Sequence, residues 1–387
     1  MNAVDVLPDE QETLIQETAR EFFAAESTPA LVRATETNPS RYSAQLWQRI
    51  AELGWLGISL PEAYGGQGLP LAYAGLLLEE AGRYIAPVPL HGTLVVAQVL
   101  ARHGSDAQRV LLRRVIDGEL ILSYAVQDPL GAWSYDSPGL TGRRNGGYVV
   151  LNGSCSFVDG FRASGMCLVL YRTEEGGVAA ALVDTGSPGV SVVDYVTTAK
   201  DSQARVNFSD LRVPLCDVVD ESVRAVALAR DLFDIATALM CSQLVGATRR
   251  DMEFAVEYAA QREAFGQPIG AFQSIQHLCA DMLIAVDGAQ LLTREALWRM
   301  DQGIPASVEV SQAKAFASDK CVFVARSAQQ IHGGIGFMME CDLQLWYRRI
   351  VAWSLRCGTV REHRQRVAAA LLDQPGKVRL GMPLEIG

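Results

Sequence analysis

The sequence predicts a mainly α-helical chain with a central β domain. Three observations lead there. Up to about residue 116 the apolar residues recur at helical spacing. From Leu120 to about Val213 they come in short β-rich runs broken by Gly, Asn and Asp, and from 223 onward the helical period returns in long stretches. With 387 residues the chain has room for two or three domains and a large core. The expected division is a helical domain over 1–119, a β domain over 120–219 and a helical bundle over 220–387.

Residues 8–25 begin with Pro8-Asp9-Glu10 and continue with Leu14, Ile15, Ala19, Phe22 and Phe23 at helical spacing. Acids at the start suit the positive end of a helix dipole. A short helix over 45–53 ends before Gly54. The loop Gly54-Trp55-Leu56-Gly57-Ile58, continued by Pro61-Glu62-Ala63-Tyr64-Gly65-Gly66-Gln67-Gly68, is dense in Pro and Gly and turns the chain. Helices over about 71–84, 93–104 and 106–116 complete the first domain. The strand candidates are Ile121–Val126, Tyr148–Leu151, Cys167–Tyr171, Val178–Val183, Val190–Val193 and Ala204–Phe208, a pattern of barrel or sandwich type. Arg143-Arg144-Asn145-Gly146-Gly147-Tyr148 reads as a hairpin, with Asn-Gly supplying the positive φ of a type I′ turn. The helical patterns over about 223–260, 271–303 and 307–331 are too long to bury a face alone and pack as a bundle. The last of them stops at Gly333-Gly334. Glycine there ends a helix, takes positive φ and lets a flat or anionic group approach the backbone. A helix over about Asp342–Trp353, a break at Cys357-Gly358-Thr359 and a helix over about Val360–Leu372 close the chain.

Composition excludes several classes. The chain is 49% hydrophobic and 20% charged, which marks a globular protein. A net charge of −10 argues against nucleic acid or an anionic membrane as the main partner. The eight cysteines form no CxxC pair. With no signal-peptide pattern they are expected to be reduced thiols of a cytoplasmic protein. The five histidines show no HExxH spacing, so no metal is expected. No apolar run reaches the roughly 18–20 residues that span a bilayer.

Two long stretches carry a resemblance. One is Arg262-Glu263-Ala264-Phe265-Gly266-Gln267-Pro268-Ile269-Gly270-Ala271-Phe272-Gln273-Ser274-Ile275-Gln276-His277, and the other is Gln330-Ile331-His332-Gly333-Gly334-Ile335-Gly336-Phe337. Together with the loop from Gly54 to Gly68 they resemble the acyl-CoA dehydrogenase family of flavoproteins. The resemblance implies an N-terminal helical domain, a β-barrel and a C-terminal four-helix bundle, with FAD as cofactor. It places Tyr124, Val126 and Gln127 beside the flavin, in a run where the family has an aromatic-x-x-Thr-Glu-Pro sequence and Gln127 replaces Thr. It matches Ser134 to a later serine and Phe157 to an aromatic against the ring. Asp159 falls where the family has Thr; a carboxylate there disfavours a reduced flavin anion by charge repulsion. Arg262, Phe265 and Gln273 match residues that contact the FAD diphosphate and adenosine across a subunit interface. Gln330, Gly333 and Gly334 match the motif that receives the ADP part, and Thr359 also falls in the cofactor set. An arginine fork suits a diphosphate because it donates two parallel hydrogen bonds.

In the family a glutamate removes the substrate's α-proton while hydride leaves Cβ for the flavin. Its usual seat here is Cys357. The second seat, a Glu-Arg pair, falls on Ala236-Thr237. Neither holds a carboxylate, so the catalytic residue is unassigned. Asp234 lies about 200° round the helix from position 236, Glu340 and Glu362 read as helix-surface acids, and Arg356 and Arg361 are the cations nearest Cys357 in sequence. The chain is similar to a bacterial subgroup whose base-lacking chains join base-bearing ones in heterotetramers. The implied activity is FAD-dependent α,β-dehydrogenation of an acyl-CoA thioester with a base supplied by a partner chain. The implied acceptor is electron-transfer flavoprotein or a similar protein. Two other readings stay open: a self-sufficient flavoenzyme, homo-oligomeric and with a non-standard base, and a non-catalytic CoA- or flavin-binding homologue.

Overall fold

The computed structural model describes residues 8–135, 138–222 and 224–372. The first helices are α1 (Glu10–Glu26), α2 (Pro29–Thr37), α3 (Ala44–Glu52), α4 (Leu71–Arg83), α5 (Leu90–His103), α6 (Asp106–Arg109) and α7 (Leu111–Ile116). Strands β1 (Leu122–Ala125), β2 (Leu140–Asn145), β3 (Tyr148–Asp159), β4 (Met166–Arg172), β5 (Val178–Asp184), β6 (Val190–Asp194), β7 (Gln203–Pro214) and β8 (Val218–Asp220) follow. Then come α8 (Ala225–Gln261), the short strands β9 (Glu263–Ala264) and β10 (Gln267–Pro268), α9 (Gln273–Asp301), α10 (Ser307–His332), α11 (Leu343–Leu355) and α12 (Val360–Leu372). The helix–sheet–helix order matches the sequence expectation. Helix α2 was not expected. Its signals are local: the Thr28 hydroxyl accepts from the Leu31 N–H, and Pro29 opens the first turn.

The chain forms two compact units. One holds Glu21–Leu77 and Ala86–Leu239; the other holds the described residues up to Arg20, Leu78–Ile85 and those from Met240 onward.

In the first unit the strands form one eight-stranded sheet in the order β6-β7-β3-β2-β4-β5-β8, with β1 paired to β4. β1 runs parallel to β4, from Leu122 opposite Met166 to Ala125 opposite Val169. Alternate residues such as Cys167, Val169 and Tyr171 on β4 and Ala179, Ala181 and Val183 on β5 share one core with Leu151 of β3 and Val206 and Phe208 of β7. The sheet therefore curls round its own interior as a barrel whose ladder ends at β6 and β8. The hairpin between β2 and β3 differs from expectation. Asn145 pairs with Tyr148, so the loop residues are Gly146 and Gly147, and the positive φ of 59° lies on Gly146. The pairing of β3 with β2 fixes this register and draws Asn145 into the strand. β3 carries register shifts at Leu151/Gly153 and Cys155/Val158. The second turns Phe157 outward, with φ 55° and the ring 44% exposed. Helix α5 is pinned to β1 by Thr93, whose hydroxyl lies 3.2 Å from both the N–H and the carbonyl of Leu122.

In the second unit, Met252, Ala255 and Ala259 of α8 share a core with Met282, Ala285 and Val286 of α9, Val324, Ala328 and Ile331 of α10, and Leu343 of α11. This is the expected bundle, and α12 packs on α10. The last turn of α4 crosses α8 through glycines. A Cβ on Gly82 would stand 2.1 Å from the Gln243 carbonyl oxygen, and one on Gly246 would stand 1.7 Å from that of Glu79.

Candidate cofactor and substrate site

One end of the bundle gathers the predicted nucleotide-binding residues. The Arg262 N–H closes the last turn of α8 on the Tyr258 carbonyl at 2.8 Å, and its own carbonyl accepts from Ile269 at 2.8 Å. Between them β9 and β10 form a tight hairpin with Ala264 opposite Gln267. Its tip is Phe265-Gly266, with φ of 55° and 83°. Phe265 is 95% exposed and sits in the left-handed region that a non-glycine residue adopts only at a cost. Tyr258 stacks on His332 at 4.4 Å, joining the end of α8 to the end of α10. The His332 Nδ1–H donates to the Ala328 carbonyl at 2.8 Å, and burial lowers the ring's pKa, so it packs neutral. Next comes Gly333, at φ 62° and ψ −141°, a glycine conformation. A Cβ on Gly333 or Gly334 would meet nothing within 4 Å, so the backbone there is open to a ligand. The side chains of Arg262, Gln273 and Gln330 are exposed around this end.

A second set gathers in the barrel unit. The loop after β1 folds onto the end of β3: Ser156 N–H donates to the Gln127 carbonyl at 3.2 Å, and its hydroxyl to the Pro129 carbonyl at 3.2 Å. The Gln127 side-chain amide donates to Gly131 at 2.8 Å, so it braces its own loop. Gly131 has φ 84°, and a Cβ there would lie 2.6 Å from the Phe157 ring. Phe157 leans on Tyr195 at 5.3 Å, and Gln203 donates to Asp159 at 3.3 Å. The 127–131 loop and Phe157 thus meet at Gly131, with Asp159 two residues further along β3 and Val126 buried, whereas Tyr124 on β1 contacts His91 and Trp133. Ser134 is half-buried in the loop that follows.

Neither base seat holds a carboxylate. Cys357 is buried with φ 55°, just past the end of α11, and its carbonyl accepts from His363 Nε2–H at 2.7 Å. Burial takes the His363 pKa down to about 4. The fully buried Lys314 ammonium donates to the Trp353 and Ser354 carbonyls at 3.0 and 3.2 Å, and Ser318 adds a bond to Ser354 at 2.9 Å. Lys314 caps the negative end of α11; burial lowers its pKa, and the nearby Cys241, Cys357 and Cys321 oppose that shift. Burial nonetheless pushes Cys241 and Cys321 up to about 12. The sequence offered Arg356 and Arg361 as cations near Cys357; it gave no sign of Lys314. Glu362 lies on the first turn of α12, as expected of a helix acid, and its carboxylate caps that helix by accepting from both the N–H and the hydroxyl of Thr359 at 2.7 Å. Glu340 is exposed, in a turn rather than a helix. Ala236 is fully buried on α8, its carbonyl accepting from His91 Nε2–H at 2.9 Å, and Asp234 is half-buried.

Residues 9–119 match the model of the acyl-CoA dehydrogenase N-terminal domain and residues 226–372 that of the C-terminal domain. A 3-(aryl)acrylate reductase of Clostridium sporogenes is 28% identical over 379 residues, 94% of this chain and 99% of that one. A variant of the Tcur3481-Tcur3483 steroid ACAD is 30% identical with a TM-score of 0.88, covering 94% of this chain and 98% of the other. A chain of the ChsE4-ChsE5 complex from Mycobacterium tuberculosis is 25% identical with a TM-score of 0.90, covering 96% and 100%. The chain belongs to the acyl-CoA dehydrogenase family, whose members are FAD-dependent oxidoreductases acting on CH–CH bonds. Its residues fit that cofactor. An exposed guanidinium, two exposed carboxamides and a glycine backbone that no side chain shields suit a diphosphate and adenosine, and exposed Phe157 suits a flat ring. Among the described residues no helix is long and apolar enough to cross a membrane.

Proposed function

We propose that the chain serves FAD-dependent α,β-dehydrogenation of an acyl-CoA thioester as the base-lacking subunit of a heteromeric assembly. The observation that carries this reading is the pairing of an intact nucleotide end with two carboxylate-free base seats: Cys357, buried behind the α11–α12 turn, and Ala236, wholly inside α8. Bound FAD supplies the hydride acceptor. By the resemblance, Arg262 and Gln273 would contact the diphosphate and adenosine of a FAD across a subunit interface, Gln330 and the Gly333-Gly334 backbone would receive its ADP part, and in the other compact unit Tyr124 and Phe157 would flank a flavin ring. Val126, Gln127, Ser134 and Thr359 belong to the same expected cofactor set, and Asp159 would put a carboxylate near the ring. A second acyl-CoA dehydrogenase-like chain brings the carboxylate that removes the α-proton, a step that needs a base within hydrogen-bond reach of Cα. The ChsE4-ChsE5 relative is itself a complex, which agrees with this reading. Electrons then pass to electron-transfer flavoprotein or a similar acceptor in the cytoplasm.

Native mass spectrometry and an absorption spectrum on protein co-expressed with its genomic neighbours test the reading. The expected result is a yellow heterotetramer containing a second chain of this family. A yellow homo-oligomer that an acyl-CoA reduces without any partner overturns it and makes Cys357 and Asp159 the residues to substitute next. A colourless homo-oligomer overturns it in favour of a binding role.

A further inference from the structure

The two stretches gathered at the nucleotide end of the bundle sit on different helices, and each begins where its helix stops. Arg262 follows the end of α8, and Gly333 follows the end of α10. A helix end lacks the hydrogen bonds that hold its interior, so its last turn needs a partner to fix it. The shared core supplies part of that support: Ala255 and Ala259 of α8 pack with Val324, Ala328 and Ile331 of α10. Beside this core Tyr258 stacks on His332, with ring centroids 4.4 Å apart and planes at 21°. Each ring belongs to a residue that is tied to one half of the nucleotide end. The Tyr258 carbonyl accepts from the Arg262 N–H at 2.8 Å, and the Arg262 carbonyl accepts from Ile269, which packs against the same core. His332 is held by its bond to the Ala328 carbonyl at 2.8 Å and seats the glycine turn that follows it. A Cβ on Gly336 would stand 3.0 Å from the His332 Cβ and 2.3 Å from the Gln329 Nε2, so residues 333–337 lie directly on the last turn of α10. The stack therefore links the residue that closes on Arg262 to the residue from which the open glycines start.

We infer that Tyr258 and His332 are positioning residues for the cofactor: their stack sets the Arg262 guanidinium and the open Gly333-Gly334 backbone at the spacing that one ADP moiety needs. The inference rests on the reading above, which places the ADP part of FAD at this end. Neither ring has to touch the ligand. Two flat rings laid face to face resist rotation of one helix end against the other, whereas a pair of aliphatic side chains slides. A binding constellation keeps its affinity only while the groups that carry it are locked by packing behind them. Burial keeps the His332 ring neutral, so the pair holds without a counter-charge. The core residues Ala255, Ala259, Val324 and Ala328 remain in place without the stack, so its loss acts on the ligand end more than on the fold.

Quenching of flavin fluorescence gives the dissociation constant of FAD from flavin-stripped protein in its native oligomeric state, with the flavin-free melting temperature followed beside it. Tyr258→Leu is expected to bind FAD about three- to tenfold more weakly than wild type. Tyr258→Phe, which keeps the ring, is expected to bind as wild type does. His332→Leu should match Tyr258→Leu and stands in for it if that variant does not fold. Leucine variants with the affinity of wild type overturn the positioning role even where their melting temperature falls, because the stack would then be packing alone. A Tyr258→Phe protein as weak as Tyr258→Leu overturns it too, since the phenol and not the ring pair would be holding the site. Wild type that takes up no FAD overturns the cofactor reading and this inference with it, whereas a loss confined to the leucine variants supports both.

Discussion

His363 is a neutral imidazole built into the turn that carries Cys357. Burial is the largest cause of its lowered pKa, the neighbouring cations Arg366 and Lys314 add to it, and the bond to the Cys357 carbonyl and the nearby Glu362 oppose it. A folded pKa of about 4 against an ordinary 6.5 means that the unfolded chain binds the extra proton between those values. This contribution is therefore full above pH 6.5 and is lost as pH falls toward 4, with a ceiling of about 3 kcal/mol. His363→Gln keeps an N–H donor for the Cys357 carbonyl and has nothing to titrate. Melting curves of both proteins between pH 7.5 and pH 4.5 check this. The wild type is expected to lose stability more steeply below pH 6.5, and parallel curves would mean that His363 is already solvated. Lys314 acts on the same turn from the other side. Its two carbonyl bonds at the end of α11 set where Cys357 begins, so the residue at the missing-base position is held by two buried nitrogens.

The α4–α8 crossing shows what an element needs from its sequence. Gly82 and Gly246 let two helix backbones touch, each pressing its Cα against a carbonyl of the other helix. Gly246→Ala would put a methyl group 1.7 Å from the Glu79 oxygen, and only a shift of one helix relieves that. The expected cost is about 3 kcal/mol or more, seen as a lost soluble yield or a lower melting temperature. Gly147→Ala, with nothing within 4 Å of the added methyl, is the matched substitution expected to leave both unchanged. Long helices such as α9 and α10 were legible because many turns repeat one apolar period. Helix α2 and strand β2 were not, since a few residues carry too few repeats and the tail of β2 is exposed on both faces. The same division runs through the site. Arg262 and Gln273 stood out within one contiguous motif and the Gly333-Gly334 pair within a second. His91 and Lys314 did not, because each acquires its meaning from a carbonyl 145 or 39 residues away. Trp133 and Phe233 read simply as apolar residues until the fold laid one ring on the other.

For the molecule as a whole, cofactor and stability are linked. FAD binds the folded chain and not the unfolded one, so each hundredfold excess over its dissociation constant adds about 2.7 kcal/mol. Protein stripped of flavin is expected to melt lower and to regain its melting temperature as FAD is added back. Arg262 offers the cleanest way to assign that gain. Its side chain is exposed, so Arg262→Ala removes little packing, and its backbone N–H still closes α8 on Tyr258. Flavin-free wild type and Arg262→Ala should then melt together, within the roughly ±0.5 kcal/mol typical of surface substitutions. They should separate only with cofactor. Loss of a charge-assisted bond to a diphosphate is worth about 1.5–3 kcal/mol, so the variant needs roughly ten- to a hundredfold more FAD for the same shift. Melting temperature followed against FAD concentration, in the protein in its native oligomeric state, distinguishes the outcomes. Displaced titrations with equal flavin-free baselines place the guanidinium on the cofactor, whereas coincident titrations would leave Arg262 a solvated surface charge. The assembly matters because the resemblance sets this motif across a subunit interface. If the FAD it holds belongs to the base-bearing chain, Arg262→Ala made in this chain will lower turnover at a site whose carboxylate lies in the other.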